Sequence, residues 1–99
     1  KYDTAQILKK YKTGDHELYR DLFAAFSSVD PFEKDRLKAV VEEFVAARST
    51  KYGVVLPILR LAVAGVLQGP DLFAMMEVLG KSVVEQRLEK ALVSFPEIK

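Results

Sequence analysis

Arg60 is the only charged side chain in the apolar stretch from Val54 to Val66. A guanidinium placed among apolar neighbours needs a partner for its charge and its donors. Glu77, Glu85 and Asp71 are the available carboxylates, and spacing favours a structural ion pair with one of them. Close by in sequence, Gln68-Gly69-Pro70-Asp71-Leu72-Phe73 reads as a tight turn feeding a helix N-terminus. Free backbone N–H groups and the helix dipole there favour a phosphate or a base acceptor atom. Gly69 would let a ligand or another backbone approach closely.

The other chemically capable side chains have simpler readings. Asp30, Glu33 and Asp35 gather at a helix start, where capping and the dipole account for them without a paired acid–base role. His16 is the only histidine, placed in a polar first turn and expected to be exposed, with no second ligand spaced to join it. Met75, Met76 and Phe73 read as core filler, or else as a greasy pocket. Lys9, Lys10 and Lys12 form a small basic run, expected to be a solvated face. There is no cysteine, which removes disulfides, thiolate metal sites and a cysteine nucleophile, and fits a reducing compartment. No nucleophile–base pair or metal cluster is spaced to work, so catalytic and metal residues are assigned as none.

The elements that position these residues are helical throughout. Ile7, Leu8 and Tyr11 share a face between Lys1 and Lys12, and Thr13-Gly14 ends that segment. Asp15 is a candidate N-cap for a second helix burying Leu18, Leu22, Phe23 and Phe26 and ending near Ser27-Ser28. Asp30-Pro31, with Glu33 completing a capping box, predicts a helix from Pro31 to about Arg48 whose inner face is Leu37, Val40, Val41, Phe44 and Val45. A helix over Val54 to Val66, apolar nearly all round, ends at Gly65. Pro70 is expected to open a short helix through Leu79, with Gly80 as its C-cap. A last helix spans about Lys81 to Leu92, stopped by Phe95-Pro96. The β-branched pairs do not alternate over a strand's length. The fold class expected is all-α, a single domain of five or six helices over residues 1–99.

That size suffices for one core. Lys and Arg number 15 against 14 Asp and Glu, so a net charge of +1 gives no bulk attraction to nucleic acid or membrane, and any such binding must rest on a local patch. The longest apolar stretch is broken by Pro57 and Arg60 and is shorter than the roughly 20 residues a membrane span needs. The chain starts at Lys1 in what reads as helix, with no signal-peptide pattern, as a piece of a longer protein would.

From Lys51 to Leu92 a set of short motifs runs in order: Pro57 and Arg60 within the apolar helix to Gly65, then Gly69-Pro70-Asp71-Leu72-Phe73, Leu79-Gly80-Lys81, Arg87-Leu88 and Ala91-Leu92. This run resembles the C-terminal end of bacterial glutamyl-tRNA synthetases, which carry Pro-Leu-Arg, Leu-Thr-Gly, a turn ending in Pro, Leu-Phe-Glu, Leu-Gly-Lys-Glu and an Arg-Leu helix. Tyr11 to Arg48 matches in helix pattern and spacing only. The resemblance implies an α-helical anticodon-binding domain appended to a class I catalytic core. It implies that Arg60, the turn residues Gly69 and Pro70, and the apolar Leu72 approach the anticodon of the tRNA for glutamate. The chain departs from the pattern at three points. Pro57 lies one residue earlier than the usual Pro, which aligns with Ile58; Ala64 stands for the common Thr; and Gly69 replaces a hydroxyl that some members carry, leaving only backbone to hydrogen-bond there.

The family's His-Ile-Gly-His and Lys-Met-Ser-Lys-Ser type signatures do not occur in these 99 residues. The resemblance therefore implies a piece without a catalytic site or cofactor of its own, whose parent, a cytoplasmic monomer, would use ATP and magnesium. An alternative reading is a helical protein-interaction module, with Arg60 as a structural ion pair and Phe73, Met75 and Met76 lining a groove. The two are separated by whether Arg60 is open beside the Gly69-Pro70 turn, or buried against Glu77 or Glu85.

Overall fold

The computed structural model describes residues 2–98. Six α-helices and three short 3₁₀ turns account for about three quarters of them, and no strand occurs among the described residues. The helices are α1 (Thr4–Lys10), α2 (His16–Ala25), α3 (Lys34–Ala47), α4 (Tyr52–Ala64), α5 (Leu72–Leu79) and α6 (Lys81–Ser94). The all-α expectation of five or six helices holds.

Helix α4 is the hub. It buries Val55, Ile58, Leu59, Leu61, Ala62 and Val63, consistent with a sequence apolar on every side, and packs against α1, α2, α3 and α6. Helix α5 joins the bundle by packing on α3 and α6. Gly65, in the left-handed region at φ 84°, ends α4 as expected, and its carbonyl accepts from the Asp3 N–H at 2.6 Å. That bond fixes the start of α1 at the end of α4, so α1 runs back along α4. Its last turn, carrying Lys9 and Lys10, comes to lie beside the first turns of α4.

Three expectations about helix ends and faces need correction. Helix α3 starts at Lys34, not at Pro31, and the Asp30–Pro31 peptide is cis. Glu33 is extended and makes no side-chain cap; instead the Glu77 carboxylate on α5 accepts the Lys34 backbone N–H at 2.7 Å, so a tertiary cap replaces the local capping box. Helix α5 starts at Leu72 rather than Pro70, because Asp71 is its N-cap. On α1 only Ile7 is buried, while Leu8 is 51% exposed. Tyr19, which periodicity did not single out, is buried beside Leu22 and Phe26.

Candidate functional site

Arg60 projects from the middle of α4 and is partly exposed. The expected ion pair is not formed. Its Nη1 donates instead to the Pro70 carbonyl at 2.9 Å. The alternative carboxylates are engaged elsewhere or absent from its surroundings: Glu77 caps α3, and Asp71 caps α5 and lies 3.5 Å from Lys34 Nζ. A guanidinium has five N–H donors, and one hydrogen bond to a carbonyl leaves its charge uncompensated.

The turn itself is held in a glycine-only conformation. Gly69 has φ 144°, a region that L side chains rarely adopt, and a Cβ built there would stand 3.6 Å from Arg60 Nη1. Gly69 and Pro70 are both exposed, so Arg60 and the turn form one open, adjacent surface. Of the four residues assigned from the sequence, Arg60, Gly69 and Pro70 come together in this way.

Leu72 lies differently. It is only 5% exposed and forms part of the core, contributing an edge rather than a platform. The helix N-terminus is also closed to an outside ligand. The Asp71 carboxylate accepts from the Phe73 N–H at 2.9 Å and the Ala74 N–H at 3.2 Å, which are the donors expected to be free. These two backbone bonds, with the neighbouring Lys34 ammonium, hold the Asp71 carboxyl below its ordinary pKa; the Ala74 bond is the strongest influence. The signal was present in the sequence, since Asp before an apolar helical run is a standard N-cap.

Arg60 borders two hollows. One, of about 530 Å³, is lined by Lys34, Lys38, Asp35, Asp71, Leu72 and Phe73 together with Leu56. The other, of about 490 Å³, is lined by Lys10, Tyr52, Gly53, Leu56, Pro57 and Leu67. A third, of about 400 Å³, continues from it past Gly53 and Pro57 to Lys9, Lys12, Asp15 and Tyr19. Six cations and three carboxylates line this run of hollows, and only Lys34 is ion-paired among the described residues. The basic run at Lys9 to Lys12, expected to be a solvated face, thus belongs to the same surface as Arg60. Sequence reasoning missed this because it depends on α1 running back along α4.

The remaining candidates are structural. His16 is half-buried, and its Nδ1 lies 2.6 Å from the Tyr11 hydroxyl. Met76 is fully buried and Phe73 is 8% exposed, so the Met–aromatic cluster is mainly core, with Met75 partly buried at its edge. Arg87 ties α6 to α4 by donating to the Val63 carbonyl at 2.7 Å. Among the described residues no three His, Cys, Asp or Glu side chains gather as a metal site, and no helix is long and apolar enough to cross a membrane.

Comparison with known proteins identifies the family of the chain. A family model described as "Anticodon binding domain" matches residues 1–92. The chain is 34% identical over 91 residues to the glutamate–tRNA ligase of Christiangramia forsetii, covering 92% of this chain and 18% of the relative. It is 33% identical over 98 residues to that of Chlorobaculum parvum, covering 97% of this chain and 20% of the relative. A crystal structure of a glutamate tRNA ligase from Elizabethkingia meningosepticum superposes with a TM-score of 0.87 at 30% identity, over 95% of this chain and 18% of that one. The chain therefore spans about a fifth of the length of the relatives it matches. With an all-α fold and a family match over residues 1–92, the chain belongs to the anticodon-binding domain family, and the relatives it resembles are glutamate–tRNA ligases.

Proposed function

We propose that the chain binds the anticodon of the tRNA for glutamate and serves a longer protein that joins glutamate to that tRNA. The observation that carries this reading is the placement of Arg60, half-open and oriented by the Pro70 carbonyl at 2.9 Å beside the exposed Gly69-Pro70 turn. A splayed anticodon base can accept hydrogen bonds from the remaining guanidinium donors, which also stack on base faces. The exposed Pro70 ring supplies an apolar contact, and Leu72 adds an apolar edge to the neighbouring hollow. Neither Gly69 nor Ala64 has a hydroxyl, so the turn's hydrogen bonds to a base come from backbone and Arg60.

The reaction itself would take place in a catalytic core outside these residues, in a cytoplasmic protein. ATP and magnesium, implied by that reaction, would be held by that core. The protein-interaction reading loses its two supports, since Arg60 is not in a buried pair and Met76 is not on a surface.

Arg60→Ala in the full-length protein tests the role. Loss of a base contact should weaken discrimination between cognate and altered anticodons by about 1–3 kcal/mol. Stability should change by only about 0.5–1.5 kcal/mol, the worth of one ordinary hydrogen bond, not the roughly 3–5 kcal/mol of a broken buried ion pair. Unchanged anticodon discrimination in the folded variant would refute the assignment.

A further inference from the structure

Arg60 donates to a neutral carbonyl, that of Pro70, although the next residue along the chain is a carboxylate, Asp71. Asp71 lines the same hollow as Arg60, and its carboxyl is held below its ordinary pKa, so it is charged at neutral pH. Hydrogen bonds to an ionised group are roughly twice as strong as neutral ones, so a carboxylate left free there would draw the guanidinium away from the carbonyl. Something must hold Asp71 apart from Arg60.

Both oxygens of the Asp71 carboxylate are engaged. Oδ1 accepts from the Phe73 N–H at 2.9 Å and the Ala74 N–H at 3.2 Å, and Oδ2 lies 3.5 Å from Lys34 Nζ. Capping fixes the first oxygen, and Lys34 decides which cation the second one faces. Lys34 is itself fixed through its backbone, because its N–H donates to Glu77 Oε1 at 2.7 Å. It therefore meets α5 at two points, the N-cap Asp71 and Glu77 in the second turn. The peptide that joins Pro70 to Asp71 carries the carbonyl that Arg60 bonds, so the placement of Asp71 also places that acceptor. Lys38, one turn further along α3, lines the hollow but makes no ion pair among the described residues.

We propose that Lys34 is a positioning residue for anticodon recognition: it holds the Asp71 carboxylate toward α3 and off Arg60, which stays bonded to the Pro70 carbonyl with its charge free for RNA. The proposal rests on the RNA-binding reading above and adds to it the residue that keeps its arginine available. Lys34 acts through Asp71 and needs no contact with the RNA. Its ion pair is half exposed, with side-chain exposures of 49% and 48%, and a pair so open adds little to folding. Its consequence lies in which acceptor Arg60 takes.

The experiment measures dissociation constants of the full-length protein for the tRNA for glutamate and for the same tRNA with each anticodon base changed in turn. The ratio of altered to cognate constant is the discrimination. Lys34→Gln should lower it about fivefold, the factor by which a carboxylate at about 4 Å compensates a guanidinium even in water, and at the same anticodon position as Arg60→Ala. The melting temperature should move little. Lys34→Arg should keep the discrimination. Asp71→Asn retains the cap acceptor, and in the Lys34→Gln background it should restore discrimination, because no carboxylate remains there to draw Arg60 away; Asp35→Asn in that background should not. In an Arg60→Ala background Lys34→Gln should have no further effect on the ratio. Full discrimination in Lys34→Gln would overturn the positioning role. A uniform loss of affinity over all the tRNAs, unrestored by Asp71→Asn, would make Lys34 a plain phosphate contact and overturn it as well, and in both cases the anticodon reading would stand. Equal rescue by Asp35→Asn would overturn the specific link to Asp71. Full discrimination in Arg60→Ala would refute the base-reading role of Arg60, and the positioning role with it.

Discussion

At the residue scale, Asp71 and Arg60 divide the work of holding the turn. Asp71 closes the start of α5 from inside, while Arg60 reaches the Pro70 carbonyl from α4. The Asp71 carboxyl is held below its ordinary pKa by the Ala74 and Phe73 N–H groups and by Lys34. A carboxyl with a depressed folded-state pKa adds stability that is complete above its unfolded pKa of about 3.9 and is lost as pH falls through the lower folded value. Asp71→Asn keeps an acceptor at the cap but removes the charge. The variant should therefore melt below the unmodified chain near neutral pH, and the difference should shrink as pH falls below about 4, with melting curves across that range as the check. A constant difference would show that the charge contributes nothing there. The sequence made the importance of Arg60 legible, because a lone charge in an apolar helix must be satisfied. It did not reveal how: a backbone carbonyl ten residues on competes with any carboxylate, and nothing in residue type announces it. Helical spacing places Leu72 on the inward face with Phe73 and Met76, where it is found, while the contact with the anticodon is implied by the resemblance alone.

At the element scale, local signals located every helix, and a tertiary contact goes with the shifted start of one of them, α3. The central helix, its end at Gly65, and the break at Gly80 between the last two helices follow from apolar runs and glycines visible in the sequence. The start of α3 does not. Asp30-Pro31 and Glu33 form a good local start signal, yet the backbone stays non-helical until Lys34, whose N–H is taken by Glu77 from α5. Since α3 and α5 pack together, a cap supplied by the neighbour satisfies a free donor and ties the two helices at once. Substitution can separate the two candidate caps. Glu77→Ala should cost about 1 kcal/mol, typical of a lost cap, whereas Asp30→Ala should be within about 0.5 kcal/mol of neutral. Urea denaturation of both variants measures this. The opposite ranking would restore the local capping box.

At the scale of the whole molecule, the residues that hold the fold and those proposed to bind lie in different parts of the chain. The core is apolar, running from Ile7 to Phe95, and no charged side chain is buried among the described residues. Such a core holds itself without metal, so the chain should stay folded, monomeric and helical in excess chelator; a loss of far-UV helical signal, or dimer in sedimentation, would contradict this. Charge is distributed quite differently from its sum. The whole chain carries +1, yet the run of hollows from Lys12 past Arg60 to Lys38 has twice as many cations as carboxylates, whereas the hollow between α2 and α6 has Arg20 against Glu85 and Glu89. Long-range attraction is governed largely by net charge and short-range contact by local charge, with salt screening beyond about 8–10 Å separating the two. A chain with strong local and weak net charge should therefore bind RNA on contact but collect it poorly from a distance. Acting alone it should bind tRNA with a dissociation constant of about 10⁻⁴–10⁻⁶ M at physiological salt, in the range of non-specific binding, because about four-fifths of a typical relative lies outside this chain. The full-length protein should bind the same tRNA far more tightly, and deleting this domain from it should abolish the distinction between cognate and unrelated anticodons while leaving acceptor-end binding in place. Fluorescence titrations of the chain and of the full-length protein with and without the domain measure all three. Nanomolar binding by the isolated chain would mean that recognition is concentrated here, and the division between local reading and remote holding would have to be given up.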